Sequence, residues 1–134
     1  MASRDLDVVI IDDEATVTDL FQKFIIWKYS DWRFLAFSNP EIIYNAIVSG
    51  QISAKVWVID MMMPGKNGAD VATAVREHQG DSPAVLAYTA LEKRSLETQE
   101  AYRHGLKHFN QVINKREDFG SILALIEVLI AQRS

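Results

Sequence analysis

Two periodicities alternate along the chain. Short, almost unbroken apolar runs are separated by longer stretches whose apolar positions recur three and four residues apart. The runs are Asp7-Val8-Val9-Ile10-Ile11, Trp32-Arg33-Phe34-Leu35-Ala36-Phe37, residues 55–60 with Val56-Trp57-Val58-Ile59 at their heart, Ala84-Val85-Leu86-Ala87-Tyr88 opened by Pro83, and residues 108–113. Short apolar runs bounded by turn residues are the pattern of strands buried on both faces. The intervening stretches predict helices. The first spans Glu14 to about Tyr29, with Val17, Leu20, Phe21, Phe24 and Lys28 along one face. Ile25, Ile26 and Trp27 make its last turns apolar on more than one side, either to pack on the last helix or to form a docking patch. Asn39-Pro40-Glu41 opens a second helix with a capping side chain and proline at the first helical position; it carries Ile42, Ile43, Ala46 and Ile47 and stops near Gly50. The third runs from about Gly68 to Gln79 with Val71, Ala72 and Val75 inward. A weaker helix over 95–104 has little more than Leu96, Ala101 and Tyr102 to bury, and Gly105 is placed as its C-cap. The last, from Asp118 to about Gln132, carries Ile122, Leu125, Ile126, Leu129 and Ile130.

Strands alternating with helices imply right-handed βαβ units and a parallel sheet covered on both faces. Five units predict an α/β, flavodoxin-like (βα)5 three-layer sandwich with a parallel five-stranded sheet of order 2-1-3-4-5. In that order strands one and three are neighbours, so the acids that end them, Asp12, Asp13 and Asp60, meet at one sheet edge.

Composition narrows the class. The 134 residues are expected to form a single domain over 1–134, with 49% apolar and 24% charged residues, as in soluble globular proteins. A net charge of −4 argues against general nucleic-acid binding. There is no cysteine, so neither a disulfide nor a thiolate metal site is expected, which fits the cytoplasm. Met1-Ala2-Ser3-Arg4-Asp5 lacks the apolar core of a leader, and no apolar run approaches the roughly 20 residues of a membrane span.

Three carboxylates within a few ångströms repel one another, and without help at least one pKa rises. A hard divalent cation relieves this; Mg²⁺ suits one or two carboxylates, a carbonyl and several waters. Such an ion also bridges phosphate oxygens and offsets charge in phosphoryl transfer. Taken singly, Asp13 reads as a helix cap, Asp12 as a solvated acid and Asp60 as a turn residue; their common edge is what makes them a site. Thr89 ends strand four beside Asp60, where its hydroxyl can donate to a phosphoryl oxygen. Lys107 lies at the wrong edge of strand five, whereas Lys115 lies just past its end, at the edge of the acids.

These residues together resemble the receiver domain of two-component response regulators, over about residues 6 to 131. Asp12-Asp13 is similar to the family's acidic pair, Asp60-Met61-Met62-Met63-Pro64-Gly65-Lys66-Asn67-Gly68 to the segment that follows its phosphorylated aspartate, and Tyr88-Thr89-Ala90 to its switch threonine with a small neighbour. The resemblance implies that Asp60 takes a phosphoryl group from a phosphohistidine. It implies that Asp13, Asp60 and the Met62 carbonyl hold Mg²⁺, with Asp12 acting directly or through water. It further implies that Thr89 and Lys115 contact the phosphoryl group. One departure stands out: the family places its lysine nearer Val112, with a proline after it, whereas here Lys115 comes later and Arg116 follows. Either a longer loop precedes strand five or the lysine's role is altered. Phe109 sits where the family often has an aromatic that reorients on activation.

The implied partners are a sensor histidine kinase or histidine phosphotransfer protein and a downstream protein, without direct DNA binding or membrane contact. The face of helix 95–104, strand 108–113 and helix 118–132 is the candidate output and homodimer surface. The implied chemistry is confined to the protein's own phosphorylation and dephosphorylation, so it is not expected to be an enzyme in the usual sense. Three rivals are weighed. A receiver-like interaction module that takes no phosphate draws support from the Lys115 region. A phosphoaspartyl phosphatase of the haloacid-dehalogenase type wants a second Asp where Met62 stands. A flavodoxin-type carrier wants a phosphate-cradling loop where Asp12-Asp13-Glu14 would repel phosphate.

Overall fold

The structure is a computed structural model and describes residues 4–134; Met1, Ala2 and Ser3, on which the leader reading bears, lie outside the described residues. Five strands, β1 (Arg4–Ile11), β2 (Phe34–Phe37), β3 (Ile52–Ile59), β4 (Ala84–Thr89) and β5 (Gln111–Asn114), form one parallel sheet in the order β2-β1-β3-β4-β5. Side chains alternate across it. Val9, Ile11, Trp57, Ile59 and Val85 face α2 (Pro40–Val48) and α3 (Gly68–Gln79). Val8, Ile10, Val56, Val58, Leu86 and Ile113 face α1 (Ala15–Lys28) and α6 (Phe119–Gln132). The C-terminal halves of the central strands, Val8–Ile11 in β1 and Val56–Ile59 in β3, are thus apolar on every residue because each face has a helical layer to bury against. A smaller cluster of Met61, Ala69, Ala87 and Leu96 seats α4 (Lys93–Thr98), which α5 (Glu100–Arg103) follows.

The helix starts follow their capping side chains. Asn39 Oδ1 accepts from Glu41 N (3.0 Å) ahead of Pro40. Asn67 and Asp70 form a reciprocal capping box on α3 (3.0 and 3.1 Å). Asp118 Oδ2 accepts from Ser121 N at 3.2 Å to open α6.

Several expected boundaries move. β2 begins at Phe34 rather than Trp32, because Trp32 stacks flat on Tyr29 (4.2 Å between centroids). On α1 the buried positions are Thr18, Phe21 and Ile25, so Leu20, expected inward, is 40% exposed. The apolar end of α1 divides: Ile25 is fully buried in one cluster with Ile126 and Ile130, whereas Ile26 and Trp27 are 63% and 75% exposed. Ile42 is exposed as well. The helix expected over 95–104 is two short helices broken at Gln99, whose ψ is 125°, and Ala101 is exposed. Gly105 is no left-handed cap, since its φ is −105°. It is needed for close approach: a Cβ there would lie 2.6 Å from Ala69 Cβ and 2.7 Å from the Ala69 carbonyl oxygen on α3.

Strand five starts at Gln111, not at 108, because a 3-10 turn at Leu106–His108 intervenes. Arg76 fastens that turn: its guanidinium donates to His108 O (3.0 Å), Pro83 O (2.8 Å) and Asn110 Oδ1 (3.0 Å). Phe109 therefore sits ahead of β5, half-buried between the α3 layer and the α4 cluster. Among the described residues no helix is long and apolar enough to cross a membrane.

Candidate phosphoryl and metal site

The carboxyl ends of β1 and β3 deliver the acids. Ile11 pairs with Ile59, and Asp60 N donates to Ile11 O at 2.9 Å, so Asp12 and Asp60 leave the sheet side by side. Asp12 and Asp60 are buried and Asp13 is exposed, and one carboxylate oxygen from each lies within 4.8 Å of the others. Asp12 Oδ1 accepts from Glu14 N (2.9 Å) and Asp60 Oδ1 from Met62 N (3.3 Å). Asp13 caps nothing, since Glu14 holds the N-cap position of α1.

Lys115 closes the site. Its Nζ lies 2.8 Å from Asp12 Oδ2, 3.5 Å from Asp60 Oδ2 and 3.5 Å from Glu14 Oε1. The contact with Asp12 is one of charge rather than of well-directed hydrogen bonding, since buried Asp12 Oδ2 accepts no hydrogen bond of good geometry. Lys115 N donates to Thr89 O at 2.8 Å, which pins the lysine to the end of β4. A 3-10 turn at Leu106–His108 precedes β5, and the Lys115 ammonium beyond that strand reaches the acids. Thr89 is fully buried, and its Oγ1 accepts from Leu91 N (3.1 Å).

Burial raises the pKa of Asp60 first and the charge of Asp12 second, against the pull of Lys115, and the carboxyl is pushed up to about 7. Burial also raises Asp12. For Lys115, burial works against the ammonium, but Asp12, Asp60 and Glu14 outweigh it and hold the pKa above its usual value. A single ammonium thus leaves the pair of buried acids short of positive charge. An all-oxygen cluster with one buried oxygen lacking a directed donor fits a hard divalent cation such as Mg²⁺. Softer metals would want nitrogen or sulfur, which the cluster does not offer.

The loop after Asp60 is held by a glycine: a Cβ on Gly68 would fall 2.5 Å from Asp60 O and 2.8 Å from Met61 Cα. Met61 is buried while Met62 is half exposed, and Leu91 is half-buried. Two neighbours of the site, Glu14 and Tyr88, carry no site role in the sequence reading. Glu14, which directly follows the acidic pair, lies 3.5 Å from Lys115 Nζ through its Oε1. Tyr88, just ahead of Thr89, has its ring centroid 5.9 Å from Lys115 Nζ. Its place on the buried face of β4 hid that contact.

Comparison with known proteins agrees with this geometry. The family described as the response regulator receiver domain matches residues 8–127. No curated protein matches the chain. Among solved structures, a BeF3-activated DrrB receiver domain is 16% identical with a TM-score of 0.75, over 96% of this chain and 99% of that one. The response regulator TrrA of Thermotoga maritima, in complex with Mg²⁺-BeF, is 20% identical with a TM-score of 0.68, over 92% and 98%. A CheY-like receiver domain protein of Methanospirillum hungatei is 11% identical with a TM-score of 0.75, over 98% and 97%. At these identities the solved structures speak to the fold alone.

Proposed function

The chain belongs to the response regulator receiver domain family, and from that premise we propose that it is a phospho-accepting receiver, taking a phosphoryl group from a phosphohistidine onto Asp60. The observation that carries the reading is the meeting of Asp12, Asp13 and Asp60 within 4.8 Å, with the Lys115 ammonium set against them. An Asp60 oxygen attacks phosphorus in line. The P–N bond breaks, the imidazole nitrogen leaves with the electron pair and takes a proton from solvent, and Asp60 becomes an acyl phosphate. Asp13, Asp60 and the Met62 carbonyl are the groups to hold Mg²⁺, with Asp12 acting directly or through water. The ion supplies charge neutralisation at the phosphoryl oxygens. Lys115 adds a fixed positive charge at those oxygens, and the Thr89 hydroxyl, which accepts from Leu91 N, donates its proton to the phosphoryl group. Water later returns the carboxylate, so chemistry is confined to the protein's own modification.

Met62 and Leu91 flank the acids with apolar bulk and restrict water's approach, which favours a long-lived acyl phosphate. Met62→Asn with Leu91→Lys is expected to speed its loss several-fold, read as the decay of the phosphorylated mass; an unchanged decay rate removes these side chains from the account. The donor is a sensor histidine kinase or a histidine phosphotransfer protein, and the output is a protein contact through α4, α5, β5 and α6, a face that also suits a homodimer. Cytoplasmic action without DNA or membrane contact completes the proposal.

The test is intact mass after incubation with a small acyl-phosphate donor. Gain of one phosphoryl group is expected with Mg²⁺, and none with chelator or in Asp60→Asn. No gain in the wild type with Mg²⁺ bound would favour the interaction module instead.

A further inference from the structure

On the α1–α6 side of the sheet, five aromatic rings form one unbroken column. Tyr88 meets Phe21 at 5.7 Å, Phe21 meets Phe119 at 4.8 Å, Phe119 meets Phe24 at 5.2 Å, and Phe24 meets Trp27 at 5.9 Å, all edge to face. The inner end lies at the site, where Lys115 Nζ is 5.9 Å from the Tyr88 centroid and Tyr88 directly precedes Thr89. The outer end is Trp27, 75% exposed on α1. Phe21 in the middle is fully buried.

We propose that this column transmits the occupancy of Asp60 to the outer face of α1, with Trp27 as its exposed end. The inference rests on the reading of Asp60 as phosphoryl acceptor. The Lys115 ammonium stands between Asp12, Asp60 and Glu14 while also lying near the Tyr88 ring. A phosphoryl group on Asp60 brings new anionic oxygens, and the ammonium must turn to them, which changes what stands against that ring. Thr89, the next residue on β4, gains an acceptor for its hydroxyl proton in the same event. Edge-to-face rings in a close-packed interior do not shift singly, so a displaced Tyr88 requires Phe21 and then Phe119 to repack. A second link is covalent: the loop from Lys115, tied to Thr89 O, runs through the Asp118 cap directly into Phe119. Phe119 therefore receives the change from both the sheet and the loop, and Phe24 carries it to Trp27. Such a chain of contacts earns the word coupling only when breaking it breaks the response.

The probe is beryllofluoride with Mg²⁺, a phosphoryl mimic. A bound fluoride resonance reports loading of the site, and the indole N–H resonances of the three tryptophans report the response, with Trp27 assigned by its loss in Trp27→Phe. Trp32, stacked on Tyr29 and outside the column, is the internal reference. With the site loaded, the Trp27 signal is expected to move more than that of Trp32. In Phe119→Leu and Phe24→Leu, both at half-buried positions, that movement is expected to fall by about half or more while fluoride still binds. A loaded site with Trp27 unmoved, or with its movement unchanged in both variants, overturns the column alone. Absence of any bound fluoride signal overturns the phosphoryl-acceptor reading of Asp60 and the column with it.

Discussion

Burial and the neighbouring charge of Asp12 both act against a negative charge on Asp60, and this sets how the isolated site answers to pH. The native carboxyl titrates at about 7, against 3.8 for an unperturbed group. The folded state therefore holds that proton more tightly than the unfolded chain does, and stability declines as pH rises from about 4 through about 7. Asp60→Asn removes the penalty. In chelator it is expected to be more stable than wild type by about 1–3 kcal/mol at pH 8, with the gain vanishing near pH 4. Urea unfolding at the two pH values measures this; a gain that is the same at both would assign the effect to something other than ionisation. The principal acids, Thr89 and Lys115 were legible as residues because each ends a strand or follows one. Glu14 and Tyr88 were not, because only the folded path of the Lys115 side chain makes them neighbours.

At the scale of elements, periodicity located every strand and most helices but misjudged which residues face inward where apolar residues crowd. Ile25, Ile26 and Trp27 are consecutive, and helical geometry turns only the first onto the core. Ile25→Ala is expected to cost about 2–4 kcal/mol, since it opens a cavity against Ile126 and Ile130, whereas Trp27→Ser should stay within about 0.5 kcal/mol. Chemical denaturation of both variants decides between a divided and a wholly buried end. The break at Gln99 carries no Pro or Gly to announce it, so the pattern of 95–104 read as one helix. Gly105 was legible as special, but for the wrong reason: it marks the contact with Ala69, which no local pattern encodes.

For the whole molecule, the strand order follows from alternation and handedness, and it is what turns three distant acids into one site. A cation that binds only the folded state then stabilises the entire domain by mass action. At about ten times its dissociation constant, Mg²⁺ is expected to add about 1.4 kcal/mol, or about 5 °C in Tm, at pH 8. The increment should shrink below pH 7, where protons compete for Asp60, and in Asp60→Asn. Thermal unfolding with and without the ion checks it; equal increments in wild type and Asp60→Asn would place the bound ion elsewhere.

The turn at Leu106–His108 has a consequence for kinship. Lys115 is brought to the acids by its own main-chain bond to Thr89 O, while Arg76 secures the turn from outside the sheet. The number of residues between Gly105 and the lysine is thus free to drift without moving the ammonium. Counting along that interval alone would pass over Lys115 in this chain, although its ammonium stands against the acids.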